Sequence, residues 1–321
     1  MHHIVSPIVA ISLAAFACIA GAQGYPVKPV RMIIAFPPGG PTDLVGRIIA
    51  AKLTEQTGQQ FIVENRAGAG GNIGSEFVAK AAPDGYTILY NTSGITIAQS
   101  VYPKLGYDVV RDFTPVVLAA TVPLVLVVNP SLPSKSVQEF VAHAKAQGGK
   151  INYASSGTGV ITHLAGAAFI KEMGITATHV PYKGSAPAIA DVVSGQAQFM
   201  IDTINTPLGF IREGRLRALA VAMPKRSTLL PDVPTFNETV MPNFEMSAWQ
   251  GVVAPTGTPQ AVIERLNAEI NKAVQNADVR AKLANQGAEP LGGTVAEYAA
   301  YLKSEITRFA RIVKDANVKL E

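Results

Sequence analysis

Short apolar runs alternate with stretches of helical periodicity along most of the chain. Ile33-Ile34-Ala35-Phe36 reads as a buried strand, and a Pro/Gly-rich turn follows it. Leu44, Ile48, Ile49 and Leu53 then fall at helix-face spacing, with Thr42 or Asp43 placed to cap that helix. The pattern repeats. Phe61 to Val63 predicts a short strand, and Gly68, Gly70, Gly71 and Gly74 precede a helical stretch. Asp84-Gly85 predicts a turn, Tyr86 to Tyr90 a strand, and Asn91-Thr92-Ser93-Gly94 a polar turn. Val116 to Val128 is interrupted by Pro123 and predicts two buried strands. A helix over 137–146 leads to a strand from Ile151 to Tyr153, a Ser-Gly-Thr turn and another helix. Ala177 to Val180 predicts the next strand, with a helix after Gly184. Later strands end at Asp202 and cover "LRALAVAM" and "SAWQGVVAP", and helices follow over 259–274, 277–285 and 295–314.

Strands alternating with helices predict an α/β fold of mostly parallel sheets flanked by helices. The pattern divides into two such sheets. The chain is expected to cross between them near Thr121-Val122-Pro123 and to return within Pro231 to Pro242. Residues 23–122 and 244–321 then form one domain and 123–243 the other. Ligands of α/β sheets lie beyond the carboxyl ends of the strands, so the glycine turns of both halves are expected to face one cleft.

The N-terminus departs from this alternation. Ile8 to Ala20 is almost wholly apolar, too short for a membrane span, and Ala20-Gly21-Ala22 supplies a small-x-small site before Gln23. Residues 1–22 therefore read as a secretory signal peptide cleaved after Ala22, although its start carries only His2 and His3 and no Lys or Arg. The only cysteine, Cys18, lies within it, after an Ala15-Phe16-Ala17 that fits a lipoprotein signal poorly. The mature chain then has no cysteine for a disulfide, a thiolate nucleophile or a metal, and is expected to be periplasmic. Of the 321 residues 48% are hydrophobic and 16% charged, with a formal net charge of +4. The basic residues are scattered. Even Arg212, Arg215 and Arg217 are diluted by Glu213, which argues against a nucleic-acid partner.

Catalytic signatures are missing. His143, His163 and His179 have no metal-ligand spacing. A G-x-G-x-x-G from Gly68 fails at Ile73, a G-x-S-x-G around Ser156 fails at Ala154, and Gly159-Val160 breaks a phosphate-loop pattern. What remains are cradles without a nucleophile. Helix N-termini carry roughly half a positive charge each, and Thr42, Ser93, Ser156 and Thr158 add small hydroxyl donors, which together suit a carboxylate. An alternative is a periplasmic hydrolase using Ser156 and His163 in the same cleft, and a third class is a protein-interaction module.

The chain resembles the periplasmic solute-binding receptors of tripartite tricarboxylate transporters, the Bug receptors. The motifs that carry the resemblance are "YPVKPVRMIIAFPPGGPTDLVGR", "VENRAGAGGNIG", "APDGYTILYNTSG", "NYASSGTGVITHLAG", "HVPYKGSAPAIADVVSGQ" and "WQGVVAPTGTP", in this order across essentially the whole mature chain. Each is weak alone, and the set is specific. The resemblance implies two α/β domains closing like a flytrap on a small carboxylate, with no cofactor, no metal and no chemistry on the ligand. It also implies delivery to the membrane components of such a transporter, by a receptor expected to be a monomer. The implied ligand turns are Pro37 to Asp43, with Pro38, Gly39, Gly40, Thr42 and Asp43, and Ser155 to Gly159, with Ser155, Ser156, Gly157, Thr158 and Gly159. Thr92, Ser93 and Asp202 match positions facing the cleft, and Lys183 lies in a recurrent Tyr-Lys-Gly motif. Asp43 is open to three roles: repelling a second ligand carboxylate, recognising an ammonium group, or capping the helix that follows. Dicarboxylates, aromatic carboxylates, amino acids and nicotinate-like ligands all fit.

Overall fold

The computed structural model describes residues 24–242 and 244–318; the expected signal peptide and Cys18 lie outside them. The first half of the chain runs β1 (Val30–Ile34), α1 (Pro41–Thr57), β2 (Phe61–Asn65), α2 (Asn72–Ala79), β3 (Thr87–Thr92), α3 (Gly94–Val101) and the short α4 (Val109–Asp112) into the long strand β4 (Phe113–Val128). The second half follows as α5 (Val137–Ala146), β5 (Ile151–Ser155), α6 (Ile161–Met173), β6 (Ala177–Pro181), α7 (Ser185–Ser194), β7 (Phe199–Thr203), α8 (Leu208–Arg212) and β8 (Arg217–Val221). The chain then returns through β9 (Ser247–Pro255), α9 (Gln260–Gln275), α10 (Ala277–Asn285), β10 (Glu289–Pro290) and α11 (Val295–Asp315).

The strands join in the order β2-β1-β3-β9-β4-β7-β5-β6, with β8 and β10 also paired to β4. The strand–helix units are parallel, as alternation predicts: β1 lies between β2 and β3, and β5 between β6 and β7. The two long strands that connect the halves are antiparallel to their neighbours, so the sheet is mixed at its centre. Two expectations change here. Pro123 does not split Val116 to Val128; β4 is one 16-residue strand. Up to Pro123 it pairs with β9, and from Leu124 with β7. The proline thus sits where one partner strand gives way to the other, where its missing N–H disturbs the ladder least.

The return crossing also lies later than Pro231 to Pro242. That segment stays with the second half, held by Val221 N–H to Pro234 O and Phe236 N–H to Val221 O. Phe236, Phe244 and Met246 pack with Leu124, Leu126 and Phe169, the Phe236 and Phe244 rings 4.7 Å apart. The chain crosses only at Ser247, opposite Pro123. Behind both crossings lies α11, started by a Thr294–Glu297 capping box. Its Tyr298 and Leu302 pack with the first half, and its Phe309 and Val313 with the second. Trp249, fully buried at the start of β9, donates its indole N–H to Glu305 of this helix at 2.9 Å.

In α1 the buried stripe is Val45, Ile49, Ala50 and Leu53, and Leu44 faces outward. The helix starts at Pro41, after Gly40, one turn before the expected place. Thr42 and Asp43 are therefore inside its first turn and neither is the N-cap. A Cβ on Gly46 would stand 2.7 Å from Ile34 Cδ1, so this glycine lets α1 lie close against β1.

Candidate functional site

The carboxyl ends of β1, β3, β5, β6 and β7 converge on a cleft between the halves that encloses about 680 Å³, its open mouth included. The first half contributes Phe36, Pro37, Pro38, Gly40, Pro41, Thr42, Thr92, Ala248 and Gln250. The second half contributes Ser156, Val160, Ile161, Thr162, Lys183, Gly184, Ser185, Ala186, Pro187, Asp202 and Thr203. The first turns of three helices, α1 at Pro41, α6 at Ile161 and α7 at Ser185, thus open onto one cavity. Their free backbone N–H groups and dipoles favour negative charge. Most of the remaining wall is apolar: Phe36, the prolines, Val160, Ile161 and Ala248.

The two sides touch around the cleft. Tyr102 donates its hydroxyl to Thr158 O across the halves at 3.1 Å. A Cβ on Gly184, whose φ is +113°, would lie 3.4 Å from Pro37 Cγ. The polar groups are fixed from behind. Thr162 Oγ1 receives the Ser156 N–H and bonds its hydroxyl, both at 2.9 Å, tying the Ser-Gly-Thr turn to the helix that follows. Tyr90 donates to Gln250 Oε1 at 2.9 Å and sets that amide. Asp202 is wholly buried. Its Oδ1 accepts from Ser185 Oγ at 2.9 Å and from Thr203 Oγ1 at 3.4 Å, and its Oδ2 has no partner. Burial pushes its carboxyl up to about 7, against the opposing influence of Ser185, of the Thr203 backbone and hydroxyl, and of the nearby Thr206 hydroxyl.

Of the residues singled out from the sequence, Pro38, Gly40, Thr42, Thr92, Ser156, Lys183 and Asp202 line this cleft. Gly157 and Thr158 line an adjoining space of about 1220 Å³, open to solvent, beneath Gly68 to Gly71. Gly39, Asp43, Ser93, Ser155 and Gly159 line neither. Asp43 turns back into its own half, where its carboxylate accepts from Gly39 N–H, Arg47 Nε and Asn65 Nδ2, each at 2.8 Å. Burial works to raise its pKa, and these partners overcome it and hold the carboxyl below its usual range. Ser93 is buried with an unpartnered hydroxyl, and Ser155 bonds His179 Nε2 at 2.6 Å.

The Ser156–His163 pairing that a hydrolase would need is not formed. The Ser156 hydroxyl meets Thr162, and His163 Nδ1 accepts the Gly159 N–H at 3.1 Å. His163 and His179 stack at 3.8 Å, and burial pushes them down to about 3 and about 4, so both are neutral. Among the described residues no cluster of His, Cys, Asp or Glu could hold a metal ion. Sequence reasoning missed Phe36, Thr162, Ser185, Thr203 and Gln250. Ser185 and Thr162 follow glycine turns and become visible once the helix start is placed; Gln250, in the middle of β9, carries no local signal.

A cleft of facing helix N-termini between two α/β halves joined by two crossing strands is the arrangement of a solute-binding receptor. Residues 45–318 match the family described as tripartite tricarboxylate transporter family receptor, and the chain belongs to that family. It is 40% identical over 313 residues to Protein BugT of Bordetella pertussis, covering 97% of this chain and 96% of that one. Among solved structures it is similar to R. palustris Rpa4515 with adipate, with 36% identity, a TM-score of 0.89, and 92% of this chain and 100% of that one covered. It is also similar to the periplasmic binding protein BugD, at 34% identity and a TM-score of 0.87, over 92% of this chain and 100% of that one.

Proposed function

We propose that this receptor is exported by cleavage after Ala22, captures a small carboxylate between its halves in the periplasm, and delivers it, as a monomer, to the membrane components of a tripartite tricarboxylate-type transporter. The observation that carries the reading is the meeting of three helix N-termini, one from the first half and two from the second, at a single mostly apolar cavity. Fixed dipoles neutralise a carboxylate there without a dedicated ion pair, and the apolar wall takes the body of the ligand. The adipate bound to Rpa4515 supports the same ligand class. Residues 23–122 with 244–321 and residues 123–243 act as the two closing domains, and the two strands that cross between the halves act as the hinge. The hydrogen bond of Tyr102 to Thr158 O, which bridges the halves, supports a cleft that the two halves close together. Each hydrogen bond to the ligand carboxylate contributes roughly 1.5–3 kcal/mol.

The test begins with a thermal-shift screen of mature protein against a carboxylate library. At one hundred times the dissociation constant a ligand stabilises by about 2.7 kcal/mol. Calorimetric titration then compares the best acid with its methyl ester. The acid is expected to bind and the ester not to; equal affinities would mean that the helix starts do not read charge.

A further inference from the structure

Asp202 is a costly residue in a site that attracts anions. It lines the cavity that three helix N-termini open onto, yet it is wholly buried and has a carboxylate oxygen with no hydrogen-bond partner among the described residues. A buried ionised carboxylate normally has a cation or several N–H donors. Asp202 forms no ion pair among the described residues; the hydrogen bonds from Ser185 Oγ and Thr203 Oγ1 both serve Oδ1, and the buried Thr206 hydroxyl stands close by without a hydrogen bond of its own.

The surrounding elements supply little charge. On α7 the charged residue is Asp191, which accepts a hydrogen bond from Tyr182 Oη at 2.5 Å. Lys183, in the turn before α7, lines the same cavity and is exposed. On α6, Lys171 and Glu172 lie at the exposed far end, and His163, like His179 on β6, is neutral. The strands beside β7 place Leu124 and Val125 of β4, and Tyr153 and Ala154 of β5, next to it. Across the cavity stand Thr42, Thr92 and Gln250, and the nearby Asp43 is engaged by Arg47.

We propose that Asp202 is the specificity residue of the receptor, holding a proton on Oδ2 and donating it as a hydrogen bond to a carboxylate oxygen of the ligand. The proton stays on Asp202, and no covalent bond is made or broken. An ionised Asp202 would repel the ligand, so above neutral pH capture must draw one proton from solvent. A ligand carboxylate also gives Oδ2 the partner that the protein withholds. The burial that pushes this carboxyl up to about 7 agrees with the geometry. The inference rests on the carboxylate reading of the cleft, and it adds a pH dependence that the reading alone does not require.

The experiment uses mature protein and two probes, adipate and malate, in calorimetric titrations from pH 6 to pH 8.5, repeated in buffers of different ionisation enthalpy. The wild type is expected to lose affinity by about tenfold per pH unit above about 7 and to take up a proton on binding. Asp202→Asn, whose amide donates a hydrogen bond without a titrating proton, is expected to give a flat pH profile and no proton uptake, whatever its absolute affinity. Binding of either probe by the wild type with a flat profile, or the same slope in Asp202→Asn, would overturn the role of Asp202 and leave the receptor reading standing. Failure of both probes to bind at any pH, with no other library acid bound, would overturn both.

Discussion

Replacing Asp43 by alanine removes a carboxylate that lines neither space at the cleft but holds the turn from Pro37 to Thr42 in shape. Three donors, from Gly39, Arg47 and Asn65, are released. Their worth is unequal. Arg47 is 49% exposed, so its ion pair contributes no more than about 1 kcal/mol after solvent screening. Gly39 is exposed and its N–H can return to water, for a net loss of about 1 kcal/mol. Asn65 keeps its bond to Phe36 O, so its loss is partial. The sum is about 2–3 kcal/mol, or a fall of about 3–5 °C in melting temperature for a chain of this size. The same loosened turn carries Pro38, Gly40 and Thr42, and reordering it on binding is expected to weaken the acid that the library screen selects about tenfold. Asp43→Asn, which still accepts from Gly39, should fall between alanine and wild type. Differential scanning calorimetry and titration of the three proteins with that acid check this. Unchanged melting and affinity in Asp43→Ala would refute the positioning role. Tighter binding of a dicarboxylate would mean instead that the Asp43 charge reaches the ligand and repels it.

Folding stability should track Asp202 in a defined direction. A carboxyl raised from 3.8 to about 7 contributes stability that is full below its unfolded pKa and is lost as pH rises through its folded one. Urea unfolding of the wild type relative to Asp202→Asn should therefore lose up to about 4 kcal/mol between pH 4 and pH 8, and parallel profiles would contradict the burial argument. Asp43, held low, has the opposite sign: the gap between wild type and Asp43→Ala should close as pH falls through its depressed pKa, read from the same urea midpoints. Gly251→Ala would press a Cβ onto the buried Tyr298 ring and stand it 2.9 Å from Val117 O, with an expected loss of about 1–3 kcal/mol by denaturant titration. Wild-type protein incubated with chromogenic esters should yield no product; turnover that disappears in Ser156→Ala would restore the hydrolase.

Local pattern alone determined the α/β alternation and the glycine turns before α1, α6 and α7. Each depends on residues close in sequence: apolar periodicity, turn residues and motif spacing act over a few positions. The motif order added the receptor family for the same reason, since each motif is a contiguous stretch. Tertiary structure decided whatever depended on distant partners. Pro123 reads as a break until β9, 124 residues later at Ser247, takes up β4 as far as Pro123 and β7 takes it up from Leu124. Proline richness over 231–242 suggests a linker, but Phe236 and Phe244 find the second core and hold the chain in that half. Asp43 reads equally as cap or ligand contact until Asn65, 22 residues on, claims one oxygen. Gln250 joins the site because Tyr90, 160 residues earlier, orients its amide. The proton proposed for Asp202 belongs to this second group. Aspartate at a strand end is ordinary in sequence, and only the fold denies it water, a cation and a partner for its second oxygen.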